Sequence, residues 1–234
     1  MRQLSENKTQ EEVIECILQR MKELEFDTSI CSASNIERIY GEYWNEESPM
    51  DTNLYIGLYA NKLVRAVVLG EEDGIPKHII KQLNRAMGDG VICLYISAVI
   101  HAMSFFIQPD VPCDFYVGYV DTKWNFNLFS SLFKIQPLNV SNFHATIVID
   151  NKVLDVCYSF QNDGVEAIDD IIYGTYPHEA KMCGWNMNHE LPALLDYFAS
   201  YSNQHTEDFI SEHINIFKGM ITYRIDTIIK KASN

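Results

Sequence analysis

The segment VICLYISAVIHAMSFFI, residues 91–107, constrains the fold more than any other part of this 234-residue chain. Its apolar residues face every side of a helix, which predicts a helix buried all round rather than one that lies on a surface. Other elements must cover such a helix, and a chain with 47% apolar residues can supply a sizeable core. The uninterrupted apolar run is shorter than the ~18 residues needed to span a bilayer. We therefore expect a buried helix inside a soluble domain.

Helical patterns flank this segment on both sides. Residues 51–69 fit either one long helix or a helix that runs into a strand. Six further helices are predicted; the one at residues 9–26 begins with a capping threonine and apolar residues at helical spacing, and the one at residues 76–87 begins with proline. They cover residues 9–26, 32–44, 76–87, 125–133, 190–201 and 206–231.

Strand patterns are confined to the middle of the chain. Residues 115–120 predict a short strand and residues 143–158 a hairpin, whereas residues 161–190 are typical of loops. The sequence contains no repeat and no obvious linker. The predicted fold class is therefore α+β in a single domain, residues 1–234, with a modest antiparallel sheet in the middle and helices at both ends.

The charge of the chain limits its partners. A net charge of -14 without a Lys/Arg cluster repels phosphate backbones, so nucleic acid is not an expected partner. The polar N-terminus lacks the apolar centre of a signal peptide, and we expect a cytoplasmic protein that does not bind membranes. The six cysteines include no CxxC pair, which favours free thiols over a metal site or a disulfide framework. No cofactor is predicted, and the oligomeric state stays open.

The predicted hairpin, NFHATIVIDNKVLDVCYS, carries a histidine and an aspartate among apolar neighbours. A tight type I′ turn at Asp150 and Asn151 would place His144, Thr146 and Asp155 on one face of the sheet. His144 and Asp155 then become diagonal neighbours with Cβ atoms roughly 7 Å apart. A buried carboxylate is costly without a partner, and the imidazole is the nearest one. A carboxylate that orients an imidazole is half of a catalytic triad.

Cys93 is the candidate nucleophile for this pair. It follows Gly-Asp-Gly at the start of the predicted buried helix, where free N–H groups and the helix dipole stabilise a thiolate. The same N–H groups suit an oxyanion. Cys157 is a rival because the predicted register places it opposite His144, but a strand offers it no dipole. We expect the site to be partly open to solvent.

Three amide side chains are weaker candidates for oxyanion donors: Gln82, Asn84 and Asn142. Gln82 and Asn84 belong to a predicted helix, where a solvated face is the simpler interpretation. Asn142 precedes the histidine strand and would lie beside His144. His101 is over two helical turns from Cys93, which favours a packing role.

The order of these residues resembles the transglutaminase-like branch of the papain-like cysteine enzymes. The matching segments are GVICLYISAVIHAM with Cys93, DFYVGYV as the following strand, and HATIVIDNKVLDVCYS with His144 and Asp155. Arylamine N-acetyltransferases share the Cys-His-Asp order, but their motif around the cysteine is absent, so that subgroup fits less well. The resemblance covers residues 88–159. It implies a papain-like core of a buried helix packed on a small antiparallel sheet.

This resemblance implies a thiol-dependent hydrolase, such as a thiol protease, or an acyl transferase acting on an amide, ester or thioester carbonyl. Cys93 would attack the carbonyl, His144 would act as base and then acid, and Asp155 would orient the imidazole. The implied partner is a peptide, a protein or a small acyl substrate. The alternative is an inactive papain-like-fold protein that acts as an interaction module, because Leu94 and Thr146 replace residues common in the family.

Overall fold

The computed structural model describes residues 30–33, 52–121, 143–176 and 181–232. The helices predicted at residues 9–26 and 125–133, and most of the one predicted at residues 32–44, lie outside the described residues.

The described residues form an α+β fold of six strands and six α-helices. The strands are β1 (Ile30–Ser32), β2 (Cys113–Asp121), β3 (Phe143–Ile149), β4 (Lys152–Asp155), β5 (Asp170–Gly174) and β6 (Lys181–Asn186). The helices are α1 (Thr52–Val68), α2 (Lys77–Gly88), α3 (Ile92–Ile107), α4 (Tyr158–Asp163), α5 (Leu191–Ser200) and α6 (Thr206–Ala232). Among these described helices, none is both long enough and apolar enough to cross a bilayer.

The strands form one sheet in the order β1-β5-β4-β3-β2-β6, and every described pairing is antiparallel. The predicted hairpin is β3–β4, at the centre of this sheet. The register predicted from a turn at Asp150 and Asn151 is confirmed next to the turn, because Ile147 pairs with Leu154. Asp150 and Asn151 form the turn with φ angles of 49° and 62°, the left-handed values that a type I′ turn requires.

The predicted buried helix is α3, and its burial is confirmed along most of its length. It packs against β2 and β3 on the sheet side and against α1, α5 and α6 on the other sides. Ser97 ties it to the sheet by donating its hydroxyl proton to the Ala145 carbonyl at 3.0 Å. The last turn reaches the surface, where Phe105 and Phe106 are exposed. The first turn is therefore held by the core beside β3.

The ambiguous segment 51–69 is one helix, α1, and not a helix that runs into a strand. Residues 161–190, predicted to be loop-rich, contain β5 and β6, so that prediction is wrong. Both strands are short and include glycine, which is depleted in strands and weakened the pattern. In β6 the glycine is needed, since a Cβ atom at Gly184 would lie 2.4 Å from the Val117 carbonyl oxygen.

A chain of buried hydrogen bonds joins four helices below the sheet. The Tyr59 hydroxyl and His213 Nδ1 lie 2.6 Å apart, and His213 Nε2 lies 3.1 Å from the Tyr95 hydroxyl. Tyr95 donates to the carboxamide oxygen of Gln82 at 2.9 Å. Because that oxygen only accepts, Tyr95 accepts the Nε2 proton of His213, and Tyr59 donates to Nδ1. Burial and, secondarily, the charge of His78 lower the pKa of His213 to about 3, so its imidazole is neutral.

The chain of hydrogen bonds continues towards the surface, where it ends at α6. Gln82 donates to the side-chain oxygen of Gln204 at 2.9 Å, and Gln204 donates to Glu212 at 2.8 Å. Gln82 is fully buried, so its expected position on a solvated face is wrong. Its burial could not be predicted from the sequence, because its partners are Tyr95 on α3 and Gln204 just before α6.

Candidate active site

Three elements bring the predicted triad residues together. Cys93 is the second residue of α3, His144 is the second residue of β3, and Asp155 is the last residue of β4. His144 Nε2 hydrogen-bonds to Asp155 Oδ2. Cys93 lies close enough to the imidazole to help raise its pKa. The structure therefore brings all three side chains together at one site.

Each carboxylate oxygen of Asp155 accepts two hydrogen bonds. Oδ1 accepts the backbone N–H groups of Cys157 at 2.9 Å and Tyr158 at 3.0 Å, at the start of α4. Oδ2 accepts from His144 and from the Tyr176 hydroxyl, the latter at 2.6 Å. Burial favours the neutral acid, but these partners and the imidazolium charge outweigh it and hold the pKa of Asp155 below its usual value. The site therefore contains a buried carboxylate anion.

This anion controls the charge of His144. Burial alone lowers the pKa of the imidazole. The charge of Asp155 and its hydrogen bond to the ring, followed by the nearby Cys93, raise this pKa to about 10. At neutral pH the ring is an imidazolium with a proton on each nitrogen. Nε2–H donates to Asp155, and Nδ1–H donates to the Gln161 carboxamide oxygen at 3.1 Å. The imidazolium is the cation beside the Cys93 thiol.

The site is closed in this structure. Cys93 is 2% exposed and His144 is 3% exposed, so the expectation of a partly open site is wrong. The thiol lies in the main core, while Tyr158 and Tyr176 form a smaller cluster with Ile172 near Asp155.

The other described thiols lack an imidazole partner. Cys157 is not on a strand opposite His144, as predicted, because β4 ends at Asp155 and Cys157 forms the N-cap of α4. Its burial, followed by the nearby Asp155 carboxylate, raises its pKa well above the ordinary value. Burial also raises the pKa of Cys113 to about 12. Both stay protonated near neutral pH, and Cys93 is the third of the described free thiols.

The amide candidates have different positions. Gln82 has both polar side-chain atoms in the buried chain with Tyr95 and Gln204. Asn84 is exposed on α2, and Asn142 lies outside the described residues. The N–H groups of the first turn of α3 remain the available oxyanion donors, because a helix leaves them without intrahelical partners and the N-cap residue Val91 has no side-chain acceptor.

Two residues of the site were not predicted from the sequence. Tyr176 follows β5, which was not predicted, and Gln161 lies on α4 in a segment typical of loops. A signal existed for the helix, because an aspartate side chain commonly accepts the backbone N–H groups two and three positions later at a helix start, as Asp155 does from Cys157 and Tyr158. His101 packs as expected, with Nε2 at 3.0 Å from the Cys113 carbonyl oxygen.

Comparisons of the chain with protein-family models, curated proteins and solved structures gave no match. Within the described ranges, no group of three or more His, Cys, Asp or Glu side chains is arranged to hold a metal ion. The interpretation of the site therefore depends on its geometry.

Proposed function

We propose that this protein is a thiol-dependent hydrolase or acyl transferase that acts on an amide, ester or thioester carbonyl. The observation that carries the proposal is the imidazole of His144, which is hydrogen-bonded to Asp155 and lies beside the Cys93 thiol. A cation beside a thiol at a helix N-terminus favours the thiolate, which is the nucleophilic form. We also propose that α3 and the sheet are the papain-like core that the sequence resembles.

The reaction would proceed in two steps. The Cys93 thiolate forms a bond to the carbonyl carbon, and the N–H groups of the first turn of α3 stabilise the oxyanion. His144 donates the Nδ1 proton to the leaving nitrogen, oxygen or sulfur as its bond to carbon breaks, leaving an acyl thioester on Cys93. Water or an amine then attacks the carbonyl carbon of the thioester and gives a proton to Nδ1. The carbon–sulfur bond breaks, the acid or amide is released, and the thiolate and imidazolium are regenerated.

Asp155 orients the imidazole throughout. It bonds Nε2 and is itself fixed by the start of α4 and by Tyr176. The Nε2 proton therefore stays on the ring, and Nδ1 carries the proton that reacts. This division of the two ring nitrogens is the role of the acid in a triad.

The test is the reactivity of Cys93 in the full chain. Iodoacetamide labelling followed by peptide mass spectrometry should modify Cys93 faster than Cys113 or Cys157 below about pH 7, where ordinary thiols are mostly protonated. Hydrolysis of p-nitrophenyl acetate should disappear in Cys93→Ser and persist in Cys113→Ser. Equal labelling of the three thiols, with a profile unchanged in His144→Ala, would contradict the proposal.

The second candidate is a catalytically inactive interaction module. The near-complete burial of Cys93 and His144 favours it, as do the exposed aromatic side chains of Phe105, Phe106 and Trp185, the last being 72% exposed. In that case His144→Ala would leave the labelling profile of Cys93 unchanged. The described fold is common to both candidates.

A further inference from the structure

His144 Nδ1 has a partner outside the triad. The Gln161 carboxamide oxygen lies 3.1 Å from it. Gln161 belongs to α4, one turn after Cys157, whose backbone N–H and that of Tyr158 hold Asp155 Oδ1. The same short helix therefore fixes the carboxylate on one side of the imidazole and contacts the nitrogen on the other side.

The contact lies on the route of the reacting proton. Nε2 is occupied by a carboxylate that has three further hydrogen bonds, so proton exchange with a substrate has to use Nδ1. The ring itself is 3% exposed, whereas Gln161 is an exposed residue. The carboxamide that contacts Nδ1 therefore links a buried imidazole to the protein surface.

We propose that Gln161 is a positioning residue and gate for His144. In the free site it accepts the Nδ1 proton and keeps the imidazolium in place. During the reaction its side chain swings away, and the leaving group takes its place as acceptor of the Nδ1 proton. This inference rests on the proposed function and adds a residue that controls access to the acid.

Substitutions at Gln161 should separate its two proposed roles, which are to hold the imidazolium of His144 and to control access to it. Gln161→Ala removes the acceptor and the cover, so iodoacetamide should label Cys93 faster. We expect an increase of roughly three- to tenfold near neutral pH, the range that corresponds to one lost hydrogen bond. Gln161→Glu places a carboxylate at Nδ1, which holds the imidazolium more strongly and disfavours a second anion at Cys93. Labelling should then be slower than in the wild-type protein.

The experiment compares labelling rates of Cys93 in the full-length wild-type chain and these variants from about pH 5 to 9, a range that spans the ordinary histidine and thiol pKa values. Asp163→Asn is the matched control, because Asp163 is an exposed residue at the end of the same helix. It should label like the wild-type protein. If Gln161→Ala fails to fold, Gln161→Met replaces it in the test, because methionine keeps the length of the side chain without a carboxamide. Cys93 should then be labelled faster in Gln161→Met than in the wild-type protein.

Opposite changes in Gln161→Ala and Gln161→Glu, with an unchanged Asp163→Asn, support the inference. Equal rates in Gln161→Ala and the wild-type protein, or equal acceleration in Gln161→Glu and Asp163→Asn, overturn it. If the Gln161 inference fails but the pH profile of Cys93 labelling still shifts in His144→Ala, the proposed function stands. A pH profile that is unchanged in both the His144 and the Gln161 variants overturns both proposals.

Discussion

Tyr176 donates its hydroxyl proton to Asp155 Oδ2 at 2.6 Å, on the same oxygen that binds the imidazole of His144. A buried hydroxyl thus stabilises a buried carboxylate anion. The hydroxyl is not a member of the proposed triad, but it fixes the carboxylate that holds the imidazole. This relationship makes the carboxylate sensitive to a change just beyond the end of β5.

Tyr176→Phe should lower the free energy of unfolding by roughly 1.5–3 kcal/mol, the range for a hydrogen bond to a charged group. Urea unfolding followed by circular dichroism measures this. Tyr201→Phe is the matched control, because Tyr201 also donates to a carboxylate, that of Asp89 at 2.9 Å, but Asp89 is 46% exposed. Its loss should be smaller, since water replaces the lost donor. An equal loss in both variants would contradict the role assigned to burial.

The raised pKa of His144 makes stability depend on pH above neutrality. The folded imidazole keeps its proton up to about pH 10, whereas an unfolded histidine loses it near its ordinary pKa of about 6.5. The stabilisation is therefore complete below about pH 6.5 and is lost as the pH rises towards 10, by up to ~1.4 kcal/mol per pH unit. Urea unfolding at about pH 7, 8 and 9 should show this slope, and His144→Gln should lack it. If the free energy of unfolding depends on pH in the same way in both proteins, His144 is not the source of the slope.

His213 gives the opposite dependence in acid. Its folded pKa is about 3, so below about pH 6.5 the unfolded chain binds a proton that the folded chain does not. Stability contributed by the neutral ring is present above about pH 6.5 and falls as the pH drops towards 3. The slope of unfolding free energy between these values should be smaller in His213→Gln than in the wild-type protein. His189→Gln is the control, because the His189 side chain is 72% exposed, and it should keep the wild-type slope.

The hairpin turn offers a test of backbone conformation. Asn151 has a φ angle of 62°, so Asn151→Ala should cost up to about 1–2 kcal/mol of stability, because alanine lacks the polar side chain with which asparagine offsets the strain of the left-handed region. Asn151→Gly should be close to neutral, as glycine accepts that conformation. Thermal unfolding of the two variants measures the difference. If alanine and glycine behave alike, the turn does not hold the positive φ angle in solution.

The hairpin could be predicted because its signals are local. Alternating apolar residues, a turn pair that tolerates positive φ angles, and the period of two in a strand fix its register from the sequence alone. From that register the meeting of His144 and Asp155 follows. The position of Cys93 in the first turn of α3 was also predictable, because glycines end one helix and an apolar run begins the next.

The rest of the site depends on long-range contacts. Tyr176 and Gln161 reach the triad from segments with weak local patterns, and the sequence carries no signal of which hydroxyl or carboxamide will meet a given nitrogen. The closure of the site also had no local signal, since it results from several elements packed together. Gln82 shows the same limit, because a polar residue on an amphipathic helix is buried here with one partner on α3 and another in the segment before α6.

The strand order has a consequence for how the chain folds. His144 and Asp155 are 11 residues apart and meet through a tight hairpin, whereas β1 joins the sheet by pairing Ile30 with Ile172. Closing the long segment between those two residues costs more chain entropy than closing the hairpin, and contacts of that kind form late. We therefore expect the acid–imidazole pair to assemble early on the folding pathway, around the central hairpin, and the outer strand to dock afterwards. Loss of the outer strand would then be tolerated by partly folded states that still contain the pair.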